Sequence, residues 1–449
     1  MVMKSANLNS FVSHMIGGGW GSEAPDIKNT ERVAIIRGTD IPKISAGIFS
    51  TVPIRYESPS KVRSRLLEEG DLVIEVSGGS AKSNQRTGRT LLITNEILKK
   101  LGGNVIPASF CKLIRFDKQK IDSAYVSYQI AYLHQTDEIA NYEVQSTGLT
   151  NFQTSHFLSD VEPYLLDIGE QRSASFPLLV LDKKISILRE TNNLFEKVIS
   201  TLFKSWFVSF DPTVDSKNLR NEFCSGIDFP SSFERDEYGM IPKGWSRVKF
   251  GDLLIDVIGG DWGSDLPNAI ESERVAIVRG TDLPELNINI PNKIPIRYTT
   301  SRKISSRLIE PGDIIIEVSG GSKDQPTGRS LYFTESMLRQ FNIPVVPASF
   351  CRRLRPRTIK HGLLLACHLN EIYRQGKTWE YQVQSTGISN FQTKHFLESE
   401  MVVVPTDDVL DRFFEIVQPM LQRSGLSEIQ ELTRLKNSVL SKLITEGGQ

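Results

Sequence analysis

A chain of 449 residues is too long for one hydrophobic core, so two or three domains are expected. With 39% apolar and 24% charged residues it has the composition of an ordinary soluble globular protein, and no apolar run reaches the ~18–20 residues a membrane helix needs. Lys plus Arg (53) balances Asp plus Glu (53), which argues against a protein that grips nucleic acid unaided over a long basic face but leaves room for local basic patches.

The opening segment has no signal-peptide apolar core, and the four cysteines (Cys111, Cys224, Cys351, Cys367) are scattered without a CxxC pair. Both features suit a reducing cytoplasm. In chain order, "ERVAII" (31–36), "DLVIEV" (71–76), "TLLIT" (90–94) and "SFCKLIR" (109–115) are short β-branched runs bounded by Gly, Asp or Pro, the pattern of strands. A helix is expected near 121–133. From Leu181, apolar residues step through Ile185, Leu188, then Asn192, then Phe195, Ile199, Leu202 and Trp206. Alternating increments of four and three make the seam of a coiled coil, with Asn192 its one polar position. A helix from Leu181 to Phe207 would be about 40 Å long at 1.5 Å per residue, with Pro212 closing it. Residues 213–240 read as a polar linker leading to "IPKGW".

Beyond that point the chain repeats itself. "GGGWGSEAP" (17–25) is answered by "GGDWGSDLP" (259–267), "ERVAIIRGTDIP" (31–42) by "ERVAIVRGTDLP" (273–284), and "IEVSGGS" from Ile74 recurs unchanged from Ile316. "TGR", "PASFC", "VQSTG" and "NFQT" recur in the same order. Two copies of a whole domain are implied, residues 1–165 and 241–405. The second copy has its helix near 360–373 and is followed by an amphipathic stretch with Leu432, Leu435, Val439 and Leu443 at helical spacing. Pro419 and Gly425 should divide that stretch in two. The expected fold is α/β: two tandem similar domains, each followed by a long helical region (166–212 and 406–449), the two helices pairing as an antiparallel coiled coil about a pseudo-two-fold.

Signs of resident catalysis are weak. There is no phosphate loop of the G-x-x-x-x-G-K-[ST] type and no G-x-G-x-x-G after a strand. Asp71 and Glu75, repeated as Asp313 and Glu317, have the spacing of a nuclease metal pair, but Ser77 and Ser319 stand where such a site wants lysine. His156 and His395 share "QT[SK]HFL" without a second repeated ligand, so packing or capping is the expectation and no metal or cofactor is assigned to this chain.

The order "RGTD", "GD[IL]…SGG…TGR", "PASFC", "STG[IL][TS]NFQT…FL", then a long helix, resembles the specificity subunit of type I restriction-modification enzymes, twice over and across nearly the whole chain. "LFKSWFVSFDP" (202–212) and "LKNSVLSKLI" (435–444) resemble that family's central and C-terminal helical regions, and "IPKGWSRVKFGDLL" its usual domain opening; the first copy lacks "PKGW". The resemblance implies a cytoplasmic, non-catalytic reader of double-stranded DNA. Each domain would read half of a bipartite, near-palindromic target, while the helices set the spacer and dock two modification subunits that methylate adenine with S-adenosylmethionine. Restriction subunits, where a host has them, add ATP- and Mg-dependent translocation and cleavage. The alternatives are a free-standing two-headed DNA-binding regulator, a self-contained nuclease, and a scaffold for protein or glycan, which aromatic platforms on the loops would favour where these loops show Gly, Ser, Thr and Arg instead.

Under this resemblance the DNA candidates fall on the repeated loops. Ser77, Gly78, Gly79, Ser80, Thr87 and Arg89 in the first copy match Ser319, Gly320, Gly321, Ser322, Thr327 and Arg329 in the second. Glycines admit close phosphate approach, hydroxyls donate to it, and the arginines can take phosphate or guanine O6/N7. A plain hairpin turn is the competing reading. Gln145, Ser146 and Thr147, with Gln384, Ser385 and Thr386, offer adenine contacts or a cap before "NFQT". Arg37, Thr39, Arg279 and Thr281 in "RGTD" are similar cases, and Lys61, Arg63, Arg302 and Lys303 lie in basic runs that line DNA or merely face solvent. Phe203, Trp206 and Phe207 are helix core or, in part, a modification-subunit interface.

Overall fold

The computed structural model describes residues 6–78, 86–146, 149–165, 167–214, 227–287, 294–321, 325–385, 388–422 and 426–446. The chain divides into two compact units, one of Met1–Arg189 with Glu431–Gln449, the other Glu190–Gln430.

The first unit is built on a four-stranded antiparallel sheet in the order Val12–Gly17, Cys111–Phe116, Leu72–Glu75, Thr90–Leu92. Leu72–Glu75 is central, so both its faces are buried and alternate residues enter different cores. Leu72 and Ile74 pack with Ile114, Val126 and Ile130, the last two from helix Ser123–Gln135. Val73 points the other way, to Ile36, Ile44 and Leu113. Each such fully buried aliphatic contributes about 1.5–3 kcal/mol. A second, mixed sheet runs Ile54–Glu57, Glu31–Ile36, Val105–Pro107, the last two parallel. A third, small sheet joins Ser77–Gly78 to the hairpin Glu143–Ser146 and Leu149–Phe152.

The second unit repeats this order of sheets. Its central strand Ile314–Glu317 sends Ile314 and Ile316 toward helix Ile359–Arg374 and Ile315 to the opposite core. Both domain helices start on a side-chain cap: Asp122 accepts from the Tyr125 N–H and Thr358 from the His361 N–H, each at 3.1 Å. The second unit also has what the first copy lacks in sequence. Its "PKGW" segment leads into strand Ser246–Lys249, paired with Met401–Val404, and Trp245 is buried 5.8 Å from the Phe207 ring. Part of the expected linker is itself ordered, as the hairpin Phe233–Asp236 with Gly239–Pro242.

The long helix is Ile168–Phe207 and starts well before the seam begun at Leu181. Asp167 caps it by accepting from the Glu170 N–H at 3.0 Å, and Asp167-x-x-Glu170 is the sequence signature of a capping box that the seam count passes over. It ends before Pro212: Phe210 takes a left-handed φ of 56°, and Pro212 belongs to a separate turn, Asp211–Val214. In the first unit Ala174 and Leu178 share a core with Tyr125, Tyr128 and Leu440 of helix Leu426–Glu446. Asp182 accepts from Lys436 at 2.6 Å. Residue numbers rise along one helix as they fall along the other, so the two run antiparallel there. In the second unit the seam residues Ile199, Phe203 and Trp206 share a core with Phe413 and Val417 of helix Asp407–Gln422. Pro419 does not divide that helix. It lies in the final turn, where the missing N–H removes one bond, to Glu415. Gly425 lies outside the described residues.

Candidate functional site

The repeated loops converge on a buried carboxylate, Glu317 in the second unit and Glu75 in the first. Each ends the central strand, one residue past the last core isoleucine. Glu317 accepts from Arg329 through Nε at 2.9 Å and Nη2 at 2.5 Å; Glu75 accepts from Arg89 at 2.8 and 2.6 Å. The Arg329 guanidinium is held above its ordinary pKa, chiefly by that hydrogen bond, with burial opposing. Two glycines close over the carboxylate. A Cβ on Gly38 would sit 2.3 Å from Glu75 Oε1 and one on Gly78 2.5 Å from it; at Gly280 and Gly320 the distances to Glu317 Oε1 are 2.6 and 2.3 Å. The glycines of "RGTD" and "SGG" are therefore there to admit the glutamate.

Around Glu317 lies a cleft of about 780 Å³, lined by Arg279, Gly280 and Thr281 from "RGTD", Ser319, Gly320 and Gly321 from "SGG", and Gln325 and Arg329 beside "TGR". Trp262, Ala348, Ser349 and Phe350 complete it. Motifs distant in sequence are thus brought to one wall. The small sheet then ties the "SGG" strand to the "VQSTG" hairpin, which carries Gln384, and Gln145 in the first unit, exposed.

Several expectations need correction. Thr87 and Thr327 are fully buried, and their hydroxyls donate to Glu143 and Gln382 inside the fold, so they cannot reach DNA. Arg89 and Arg329 present the Nε/Nη2 edge of the fork to glutamate, so a two-point guanine contact by that edge requires the ion pair to open. Phe203, Trp206 and Phe207 are buried in the second unit's core, with the Phe413 ring 6.4, 5.9 and 4.9 Å from theirs, leaving no ring face for a partner subunit. The Asp71/Glu75 pair is neutralised by arginine: Asp71 accepts from Arg115 twice, at 2.7 Å each, and Asp313 from Arg355, at 2.9 Å each.

Other candidates are placed as follows. Arg37 and Arg279 pair with Asp40 and Asp282, and Thr39 and Thr281 are exposed beside them. Lys61 pairs with Glu57 at 3.1 Å and Lys303 with Asp261 at 3.0 Å, while Arg63 and Arg302 face solvent, all on the short helices Pro59–Arg65 and Ser301–Arg307. Ser77 pairs with Asn151 across strands, and the Ser319 hydroxyl donates to Asn390. Ser146 and Ser385 end hairpin strands. Gly79, Ser80, Thr147, Ser322 and Thr386 lie outside the described residues. His156 and His395 pack on Tyr142 and Tyr381, with ring centroids 5.5 and 5.7 Å apart. Burial pushes the Cys111 and Cys351 thiols up to about 12.

Sequence reasoning missed the aromatics. The loops were expected to show Gly, Ser, Thr and Arg in place of aromatic platforms, yet Trp20 and Trp262 are each 40% exposed and Phe110 and Phe350 63% and 65%. Arg55 and Arg297 stack on the two tryptophans, 4.7 Å from ring centre to guanidinium carbon in both. The signal was there: "WGS" and "PASFC" keep their aromatic residue in both copies.

The type I restriction enzyme MjaIX specificity subunit of Methanocaldococcus jannaschii is 24% identical over 336 residues, which is 71% of this chain and 68% of that one. Over most of its length the chain is thus similar to a type I restriction specificity subunit. The S subunit of a type I restriction-modification system from M. genitalium, a solved structure, shares the fold: its TM-score is 0.55 at 14% identity, covering 98% of this chain and 95% of that one. No family model matches the chain. Among the described residues, no helix is long and apolar enough to cross a membrane.

Proposed function

We propose that the chain is the non-catalytic, DNA-reading subunit of a type I restriction-modification complex. Each globular domain reads one half of a bipartite target, and the helices set the spacer and dock two adenine-N6 methyltransferase subunits. One observation carries the reading of like half-sites. Every residue lining the cleft in the second unit has an identical residue at the repeat position of the first copy, from Trp20 and Trp262 through Glu75 and Glu317 to Phe110 and Phe350. Part of the scaffold has drifted: "IDSAYVSYQIAYL" and "KHGLLLACHLNEIY" build corresponding helices with little in common. A surface spared while its scaffold changes is one held to a single recognition task in both copies.

Two heads with one recognition surface, reading opposite strands, call for a near-palindromic bipartite target. The methyl donor, S-adenosylmethionine, belongs on this reading to the partner subunits, and ATP and Mg to any restriction subunits. Balanced charge supports a reader that depends on its partners for affinity, since phosphate contacts supply most non-specific binding. Copurification with the products of neighbouring genes, followed by methylome sequencing, tests the proposal. The expected result is one bipartite motif with matching halves. Two unrelated halves would sink the like-half reading, and motif-specific binding by the chain alone at physiological salt would favour the free-standing regulator.

A further inference from the structure

We infer that the cleft over Glu317, and its repeat over Glu75, holds a single nucleobase swung out of the stack. This rests on the DNA-reading function proposed above and adds a ligand to it. The charge of the cleft argues against a phosphate. Its two guanidiniums are already matched, Arg279 to Asp282 at 2.7 Å and Arg329 to Glu317, so an anion entering would lose its water without meeting an unmatched cation. A neutral flat ring has no such cost.

The lining suits that ring. Phe350 is held on the cleft edge by its backbone, its carbonyl accepting from the Val318 N–H at 2.8 Å, with its side chain largely in water. Phe110 is held in the same way, by the Val76 N–H at 2.8 Å. Large apolar rings left exposed at the same place in both copies suit a partner with a π-face, and bases stack on such rings whatever their sequence. Thr281 and Gln325 supply donors and acceptors for a base edge, and the Ser319 oxygen, whose proton goes to Asn390, can still accept. The volume falls within the ~300–1,000 Å³ of small-molecule sites. Extrusion costs a few kcal/mol, which stacking and edge contacts together offset.

The test uses the full chain with its modification subunits and a duplex carrying the methylated motif, with 2-aminopurine placed at one position at a time. The expected result is a severalfold fluorescence rise at one position in each half-site other than the adenine that the modification subunits themselves extrude and methylate, abolished at the matching half by Phe350→Ala or Phe110→Ala. A mismatch at that position, which lowers the cost of extrusion, should tighten wild-type binding roughly tenfold and leave the Phe→Ala variants unchanged. Both phenylalanines are exposed, so circular dichroism of the variants should match wild type. Motif-specific binding in which no position but the methylated adenine brightens overturns this inference alone. Absence of motif-specific binding overturns it together with the function beneath it.

Discussion

Glu317 and Arg329 form a two-point ion pair whose carboxylate is almost wholly buried, and Glu75 and Arg89 form the same pair in the other copy. Removing one partner from such a pair strands the other charge, which costs about 3–5 kcal/mol. Arg329→Ala should therefore lower the urea midpoint of the second unit by more than Arg329→Lys, which keeps a charge but loses the fork. A midpoint unchanged by Arg329→Ala would show that Glu317 finds another partner.

The glycines that admit this carboxylate make a sharper prediction. Gly280→Ala places a methyl group 2.6 Å from Glu317 Oε1, well inside contact distance, so the carboxylate must leave Arg329. Its cost should approach that of breaking the ion pair. Gly259→Ala, with nothing within 4 Å of the added carbon, is the control and should be near neutral. Thermal melts of the two variants give the comparison.

Acid should weaken the second unit through Glu400. Burial works to raise this carboxyl, but hydrogen bonds from His368 (2.7 Å) and Tyr381 (2.5 Å), with Lys377 at 2.7 Å, overcome it and hold the group at about 2. A depressed folded-state value means stability present above the unfolded carboxylate range, near 4.5, and lost as pH falls toward 2. The shift corresponds to about 3 kcal/mol. The first copy has Gln129 and Val161 at the corresponding places, and its Tyr142 donates to Asp160, one residue earlier, at 2.6 Å. In urea titrations between pH 6 and 2.5, Glu400→Gln should flatten much of the stability loss; an unaltered slope would assign the acid lability elsewhere.

Trp206 tests what the aromatic helix end is for. Its ring is fully buried among Phe207, Phe229 and Phe413, so Trp206→Ala should destabilise the chain with no partner present, by about 3–5 kcal/mol. An interface residue would leave the isolated chain's unfolding curve unmoved and weaken only assembly.

The repeat made the domain duplication legible, and short β-branched runs such as "DLVIEV" located the central strands, because both signals are read directly from the sequence. What escaped was set by tertiary contacts. Nothing local in "TGR" says that Thr327 turns inward to Gln382 while Arg329 turns to Glu317. The aromatic residues in "WGS" and "PASFC" carry no local mark of exposure, and only the folded structure shows them in water. The coiled-coil seam marked where the long helix packs, but not its start, which the Asp167 cap decides.

One divergence between the copies is compensated. In the first unit the buried Glu57 pairs with Lys61; in the second the matching positions hold Thr299 and Lys303, and the carboxylate has moved to Asp261, where the first copy has Gly19. A Cβ at Gly19 would meet Glu57 Oε2 at 3.1 Å, an oxygen with no hydrogen-bond partner. Gly19→Asp alone thus forces two carboxylates together and should cost about 1–3 kcal/mol. Glu57→Thr in the same chain recreates the second unit's arrangement, with the Thr hydroxyl donating to the new Asp as Thr299 does to Asp261 at 2.6 Å. The double variant should recover most of the loss, a coupling of about 1 kcal/mol or more in a denaturation cycle. Additive penalties would mean that the two sites drifted independently and that the exchange is coincidence.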